Sequence, residues 1–254
     1  MMNAKLSPVP GPWSRFFTSF ADLLFPPLCH CCKTFMPDAG ELHICSACLS
    51  GSPSIASPLC PVCGAPMLTE GGIDHTCGSC LAAPPPYTAA RSAVLFEGPV
   101  RELIHGLKYG CKVQHGRPLG MLAGGALYPF AVASGADIMV PVPLHVKRIR
   151  QRGFNQAILV GGLLSRKWGL PFYRDGLCRT RWTEPQISLS VDEREKNVRG
   201  AFAVKKAEAF KGKRIILVDD VYTTGSTVSE CARALKRVGA EAVFVVTVAR
   251  AVLL

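Results

Sequence analysis

The hydrophobic positions of this chain fall into three regimes. Trp13, Phe16, Phe17, Phe20 and Leu24 recur at i, i+3, i+4, i+7 and i+11, one face of a short helix that Pro26-Pro27 stops. That face either packs on the protein itself or meets a partner or a membrane surface. From residue 28 to 81 apolar residues are sparse. Beyond Pro84-Pro85-Pro86, which reads as a linker, periodicity returns and alternates between strand and helix. Ser92 to Phe96 is strand-like, Pro99 to Tyr109 helical with proline in the first turn, and Leu119 to Phe130 helical. Asp137 to Val142 is a short apolar run, followed by a basic loop and a helix from Phe154 to Trp168. Lys213 to Val218 reads as a strand, Ser226 to Val238 as a helix stopped by Gly239, and Ala242 to Ala249 as a closing strand. The late strands are apolar throughout, so an α/β fold is expected, with a mostly parallel sheet flanked by helices on both faces. The expected divisions are an N-terminal helical region at 1–27, a cysteine segment at 28–81, a linker at 82–89 and the α/β domain at 90–254.

With 254 residues, 48% hydrophobic and 19% charged, the chain has the balance of a globular protein. No run of about 18 apolar residues occurs and no secretory pattern opens the sequence, so a cytoplasmic setting is expected. Nine of the twelve cysteines lie between Cys29 and Cys80. Cys29-x2-Cys32 is followed by Cys45-x2-Cys48, and Cys60-x2-Cys63 by Cys77-x2-Cys80, giving two successive four-cysteine modules. In a reducing compartment this spacing predicts a double zinc ribbon with two structural Zn2+, each held by four thiolates with no open position. Cys31 competes with Cys32 by position, but the two-residue spacing of the other three pairs assigns Cys32. His30, His43 and His75 are not needed beside a full cysteine set. A segment so poor in hydrophobic residues depends on the metal for its folding free energy.

The net charge of +11 is uneven: residues 1–90 carry three Lys/Arg against five Asp/Glu, and residues 91–254 carry 26 against 13. The basic part also holds the most informative stretch, Ile215-Ile216-Leu217-Val218-Asp219-Asp220-Val221-Tyr222-Thr223-Thr224-Gly225-Ser226-Thr227. A buried strand runs into two carboxylates, and a loop of hydroxyl residues and glycine then opens a helix. Such a loop offers free N–H groups and hydroxyls to a phosphate, and the carboxylates can accept from vicinal hydroxyls. A phosphorylated ribose suits both halves.

These thirteen residues resemble the phosphoribosyl-pyrophosphate (PRPP) signature of type I phosphoribosyltransferases. The resemblance implies that Asp219 and Asp220 contact the ribose 2′- and 3′-hydroxyls. It also implies that Val221 and Tyr222 continue the site, that Thr223, Thr224, Gly225, Ser226 and Thr227 wrap the 5′-phosphate, and that Mg2+ accompanies the pyrophosphate. Pro141-Val142-Pro143-Leu144-His145 and Arg148-Ile149-Arg150-Gln151-Arg152-Gly153-Phe154-Asn155-Gln156-Ala157 look like the hallmark of the ComF family of competence-type proteins. Arg179-Thr180, Gln186, Leu189, Arg194, Asn197 and Gly200-Ala201-Phe202 fit its next block. A double zinc ribbon ahead of a type I phosphoribosyltransferase fold is that family's architecture, so single-stranded DNA, DNA uptake and a helicase partner are implied.

Lys147, Arg148, Arg150 and Arg152 are expected to hold the pyrophosphate or to track a nucleic-acid backbone. By resemblance to phosphoribosyltransferases, the segment from Arg179 to Arg199 corresponds to a flexible arm that would close over substrate and exclude water, unless it is only a structural excursion. His105, Lys108 and Tyr109 are read as surface or core residues, and Cys111, Cys178 and Cys231 as packing. No acceptor and no catalytic residue can be named. A glutamine-hydrolysing step is not expected, because only the zinc-ribbon segment precedes the transferase part. Three activities stay open: a PRPP- and DNA-binding protein, a phosphoribosyltransferase acting on a nitrogen acceptor, and a PRPP sensor without turnover.

Overall fold

The computed structural model describes residues 26–37, 43–67, 72–182 and 191–252, so the expected helix over residues 13–24 lies outside the described residues. Four strands, β1 (Ala89–Leu95), β2 (Ile138–Pro141), β5 (Arg214–Tyr222) and β6 (Ala242–Arg250), form one sheet in the order β1-β6-β5-β2, and all three pairings are parallel. Two short strands, β3 (Leu177–Arg179) and β4 (Phe202–Val204), pair antiparallel apart from it. Every residue of β6 and of Ile215 to Val218 in β5 is buried, as strands covered on both faces require.

Nine helices are described: α1 (Ser46–Ser50), α2 (Gly78–Ala82), α3 (Gly98–Tyr109), α4 (Gly116–Ala126), α5 (Tyr128–Ser134), α6 (Val146–Arg152), α7 (Gln156–Trp168), α8 (Val191–Val198) and α9 (Ser226–Arg237). On one face of the sheet Ile215, Leu217, Val243 and Val245 pack with Val228, Cys231 and Leu235 of α9. On the other, Ile216, Val218, Phe244 and Val246 pack with α3, α4 and α7 through Leu103, Ile104, Leu119, Val160 and Leu164.

Both cysteine modules are built into this core. Cys60, Cys63 and Cys80 join the first cluster, and Cys29, Ile44 and Cys48 join the second. The stretch between the modules covers the outer edge of β1: the Leu95 amide donates to Pro53 O at 2.8 Å and the Ile55 amide to Ala93 O at 3.3 Å. The second module reaches the same strand, where the Ala90 amide donates to Val62 O at 2.7 Å. Gly64 sits there with φ +72°, and a Cβ on it would lie 2.5 Å from Ala90 O, so both the turn and the close approach demand glycine.

Several sequence expectations are corrected. The helix expected over 119–130 is two helices broken at Leu127, because Pro129 can occupy a first turn but not a helix interior. The basic loop contains α6, capped by His145 and ended by Gly153 in the left-handed region. Strand β5 does not stop at Val218; it runs through the acid pair to Tyr222, still in register with Thr247 and Arg250 of β6. The arm is framed by the β3–β4 pair and contains α8. Cys111 is exposed rather than packed, while Cys231 is fully buried.

Helix α4 presents Gly116, Gly120 and Gly124 to Leu159, Leu163 and Lys167 of α7. A Cβ at Gly120 would meet Leu163 Cδ1 at 2.7 Å, whereas Gly125, exposed on the same helix, has open space. Gly120→Val is expected to destabilise zinc-loaded protein by roughly 1–3 kcal/mol through overpacking. Gly125→Ala should stabilise it by about 0.5–1 kcal/mol. Denaturant midpoints of the two variants check both signs.

Candidate functional site

Strand β5 carries two successive carboxylates, and successive residues of a strand point to opposite faces. Asp220 turns toward α3 and α7. It is 3% exposed, and its Oδ2 receives Lys108 Nζ at 3.1 Å and Gln156 Nε2 at 3.2 Å. Gln156 is held by its place at the start of α7, where Asn155 caps the helix by accepting from the Ala157 amide and donates to Val142 O at 2.9 Å. Asp219 sits on the α9 side, close enough to Cys231 to raise that buried thiol. Burial first, and then the neighbouring Asp220 charge, push the Asp219 carboxyl up to about 8, with Lys108 opposing.

After Tyr222 the chain turns through Thr223, Thr224 and Gly225 into α9. Gly225 is the N-cap with φ +79°, and a Cβ there would collide with the Tyr222 ring and hydroxyl. Thr224 Oγ1 and Ser226 Oγ are bonded to each other at 2.8 Å.

A cavity of about 460 Å3 opens at the carboxyl ends of β2 and β5, within the usual size of ligand sites. Its wall includes Asp219, Asp220, Val221, Tyr222, Thr223, Gly225 and Thr227 of the signature. Thr224 and Ser226 are not among the lining residues. Helix α6 divides the four expected cations by its period. Arg148 and Arg152, four residues apart, line the cavity, while Lys147 and Arg150 are exposed on the outside. With Lys108 and Arg179 the cavity wall carries four cations against two carboxylates, an excess that suits a polyanion.

Sequence reasoning left one group out of the site and missed another. His105 and Tyr109 are exposed, as expected, but together with Lys108 they also line the cavity, and Arg152 lies 5.8 Å over the Tyr109 ring. Their spacing of i, i+3 and i+4 on one helix face was the available signal. Trp182 was not singled out. It stands at the cavity wall with His145 edge-on at 5.4 Å and Lys147 and Arg148 over its ring at 5.7 and 5.5 Å.

The cysteine modules close into two clusters, Cys29, Cys32, Cys45 and Cys48, and Cys60, Cys63, Cys77 and Cys80, with the sulfurs of each within 4.8 Å of one another. Cys32 and Cys45 Sγ are 3.6 Å apart, and Cys63 and Cys77 Sγ 3.7 Å. A tetrahedron with Zn–S of about 2.3 Å requires sulfurs about 3.8 Å apart, so the clusters have the dimensions of zinc sites. Amides of Cys45, Cys48, Cys63 and Cys77 point at cluster sulfurs at 3.4–3.5 Å, which favours thiolate. Cys31 stands outside, its Sγ directed at Pro99 O, and no histidine belongs to either cluster. The donor sets are closed and all-sulfur, and they support structural zinc.

Two family models match parts of the chain. Residues 20–81 match the double zinc ribbon domain model and residues 179–252 the phosphoribosyl transferase domain model. The chain is 36% identical over 225 residues to the DNA utilization protein YhgH of Escherichia coli K12, covering 87% of this chain and 96% of that protein. It is 41% identical over 117 residues to competence protein F of Haemophilus influenzae, covering 45% and 51%. To competence protein ComFC of Bacillus subtilis it is 33% identical over 105 residues, covering 40% and 39%. Among the described residues no helix is long and apolar enough to cross a membrane.

The raised carboxyl of Asp219 has a signed consequence for stability. Its folded value lies above the ordinary carboxylate value, so the folded state holds a proton that the unfolded state releases. Stability contributed by Asp219 is fully present below the ordinary value of 3.8 and is lost progressively as pH rises from there through about 8. Asp219→Asn keeps the shape without the titration. Its melting temperature should therefore exceed that of the parent protein at pH 6 and exceed it by more at pH 8.5, as scanning calorimetry at the two pH values will report.

Proposed function

Because this chain belongs to the ComF family, in which a double zinc ribbon is joined to a phosphoribosyltransferase domain, we propose that it binds PRPP with Mg2+ in the cavity and single-stranded DNA on the adjoining basic surface. It acts, on this reading, in the uptake or use of DNA in the cytoplasm, beside a helicase. The observation that carries the reading is the meeting of an acid pair, a glycine-capped helix start and an excess of cations in one cavity. Asp219 and Asp220 accept from the ribose hydroxyls. The turn at Thr223 to Thr227 takes the 5′-phosphate at the N-terminus of α9, with Val221 and Tyr222 shaping its approach. Arg148 and Arg152 take the pyrophosphate, and Mg2+ bound with it would supply further charge neutralisation. Two Zn2+ are held by Cys29, Cys32, Cys45 and Cys48 and by Cys60, Cys63, Cys77 and Cys80.

Lys147 and Arg150 serve DNA instead, because they face away from the cavity. Trp182 adds an aromatic ring beside Lys147, the combination on which single strands stack and lose counterions. The enzyme reading uses the same groups. The C1′–O bond to pyrophosphate breaks, Arg148 and Arg152 hold the departing charge, and a nitrogen nucleophile bonds to C1′. A sensor would bind PRPP and leave that bond intact.

Calorimetry of zinc-loaded protein with Mg-PRPP tests the ligand. Binding is expected in the parent protein, absent in D219N/D220N and weaker by at least about tenfold in R148Q/R152Q, given the strength of charge-assisted bonds to phosphate. A parent protein giving no heat overturns the PRPP assignment, and pyrophosphate release with candidate nitrogen acceptors separates enzyme from sensor.

DNA is read separately, by the salt dependence of oligodeoxythymidylate binding. Each phosphate contact contributes about 0.7 to the log–log slope for a single strand, so K147Q/R150Q should flatten it by about 1.4 while leaving PRPP affinity unchanged. An unchanged slope would move DNA off this helix.

A further inference from the structure

The second cysteine cluster and the phosphate turn are joined by direct contacts. Arg250, 9% exposed at the end of β6, donates from Nη1 to Cys63 O at 2.7 Å and directs Nη2 at Cys63 Sγ at 3.7 Å. The same guanidinium lies 4.3 Å over the ring of Tyr222, its register partner on β5. Tyr222 is buried, and its hydroxyl meets that of Tyr87 at 2.6 Å. The ring passes so close to Gly225 that no Cβ fits there, and Gly225 is the N-cap of α9. One side chain thus spans from a cluster cysteine to the residue that shapes the phosphate turn.

This contact is more than packing, because its parts are charged and desolvated. A four-thiolate zinc site carries formal charge −2, and a buried guanidinium beside it is matched to that charge. Without the metal the Cys60–Gly64 turn loses its anchor, and Arg250 loses both acceptors at once. Charged hydrogen bonds and a desolvated cation on an aromatic face are the contributions at stake. Tyr222 then keeps its hydroxyl contact with Tyr87 but loses the cation held over its ring.

We propose that Arg250 is a positioning residue through which the metal-bound second ribbon holds Tyr222, and thereby the 223–227 turn, in its ligand-ready shape. The effect on PRPP affinity rests on the reading of the previous section. The effect on the order of the turn does not, and the two are measured separately.

Hydrogen–deuterium exchange of zinc-loaded protein follows a peptide spanning 223–228, with a peptide from α7 as internal control. Arg250→Met keeps the stem and removes the donors. It is expected to speed exchange in the turn by about tenfold or more, with α7 unchanged and two zinc ions retained. Arg250→Lys, which keeps charge and reach but not the planar stack, should give an intermediate rate. Cys77→Ser, opening the second cluster, should speed the same peptide, and in the Arg250→Met background it should add nothing. Parent-like exchange in Arg250→Met, or effects of the two changes that simply add, overturns the proposal. Should Arg250→Met fail to fold, Arg250→Lys decides by the same comparison. Mg-PRPP calorimetry on these proteins gives the second readout. A parent protein that does not bind sinks the PRPP reading while the exchange result stands, and a variant that binds as tightly as the parent overturns the coupling.

Discussion

Asp220 places a buried carboxyl group at the end of an apolar stretch of strand, and the cavity floor is arranged around it. A polar group buried there requires hydrogen-bonding and charged partners. Here Lys108 comes from the last turn of α3 and Gln156 from the first turn of α7, and both meet the same oxygen. The contact therefore sets where two helices end and begin relative to β5. It also leaves both carboxyl groups at the cavity wall. Asp219 accepts from the Asp220 amide at 2.9 Å, and burial beside the second carboxyl still pushes it up to about 8. Two chemically identical neighbours differ because a strand sends them to opposite faces, one toward a lysine and one toward a buried thiol.

The cysteine modules solve a different problem in the same core. Residues 43–67 and 72–82 contain too few apolar side chains to close a core of their own, and metal is the usual substitute. The clusters are nonetheless not appended to the sheet. One contributes cysteines to each of the two hydrophobic clusters, and the segment between them pairs along the open edge of β1. An edge strand left bare would invite pairing with another chain, so the ribbons protect the sheet that in turn buries their thiols.

The legible parts of this molecule are those whose chemistry is local. Four Cys-x2-Cys pairs announce two clusters, because a tight turn must present two thiolates to one ion. The strand-to-helix passage at Ile215–Thr227 is equally local, and its apolar run, acids and glycine all lie where expected, although β5 runs four residues further than its apolar run. Helix α6 was hidden because its apolar residues, Val146 and Ile149, are exposed rather than buried, so no hydrophobic stripe marks it. Lys108 was misjudged because its partner lies more than a hundred residues away. Arg250 and Cys63 are separated by 187 residues, and nothing in either neighbourhood signals the other. Long-range polar pairs are decided by topology, which local spacing does not encode.

Helix α6 is where the two proposed ligands meet. It has seven residues, with Arg148 and Arg152 toward the cavity and Lys147 and Arg150 toward solvent. Both pairs sit on one helix of two turns, so a bound phosphate that drew the inner pair inward would move the outer pair with it. Trp182 touches Lys147 and Arg148 together and so reports on both sides. Any change that PRPP makes in DNA affinity must then be matched by an equal change that DNA makes in PRPP affinity, since coupling between two sites is reciprocal. The division of four cations between two faces of one short helix is therefore what would make this protein respond to both ligands rather than carry two independent sites.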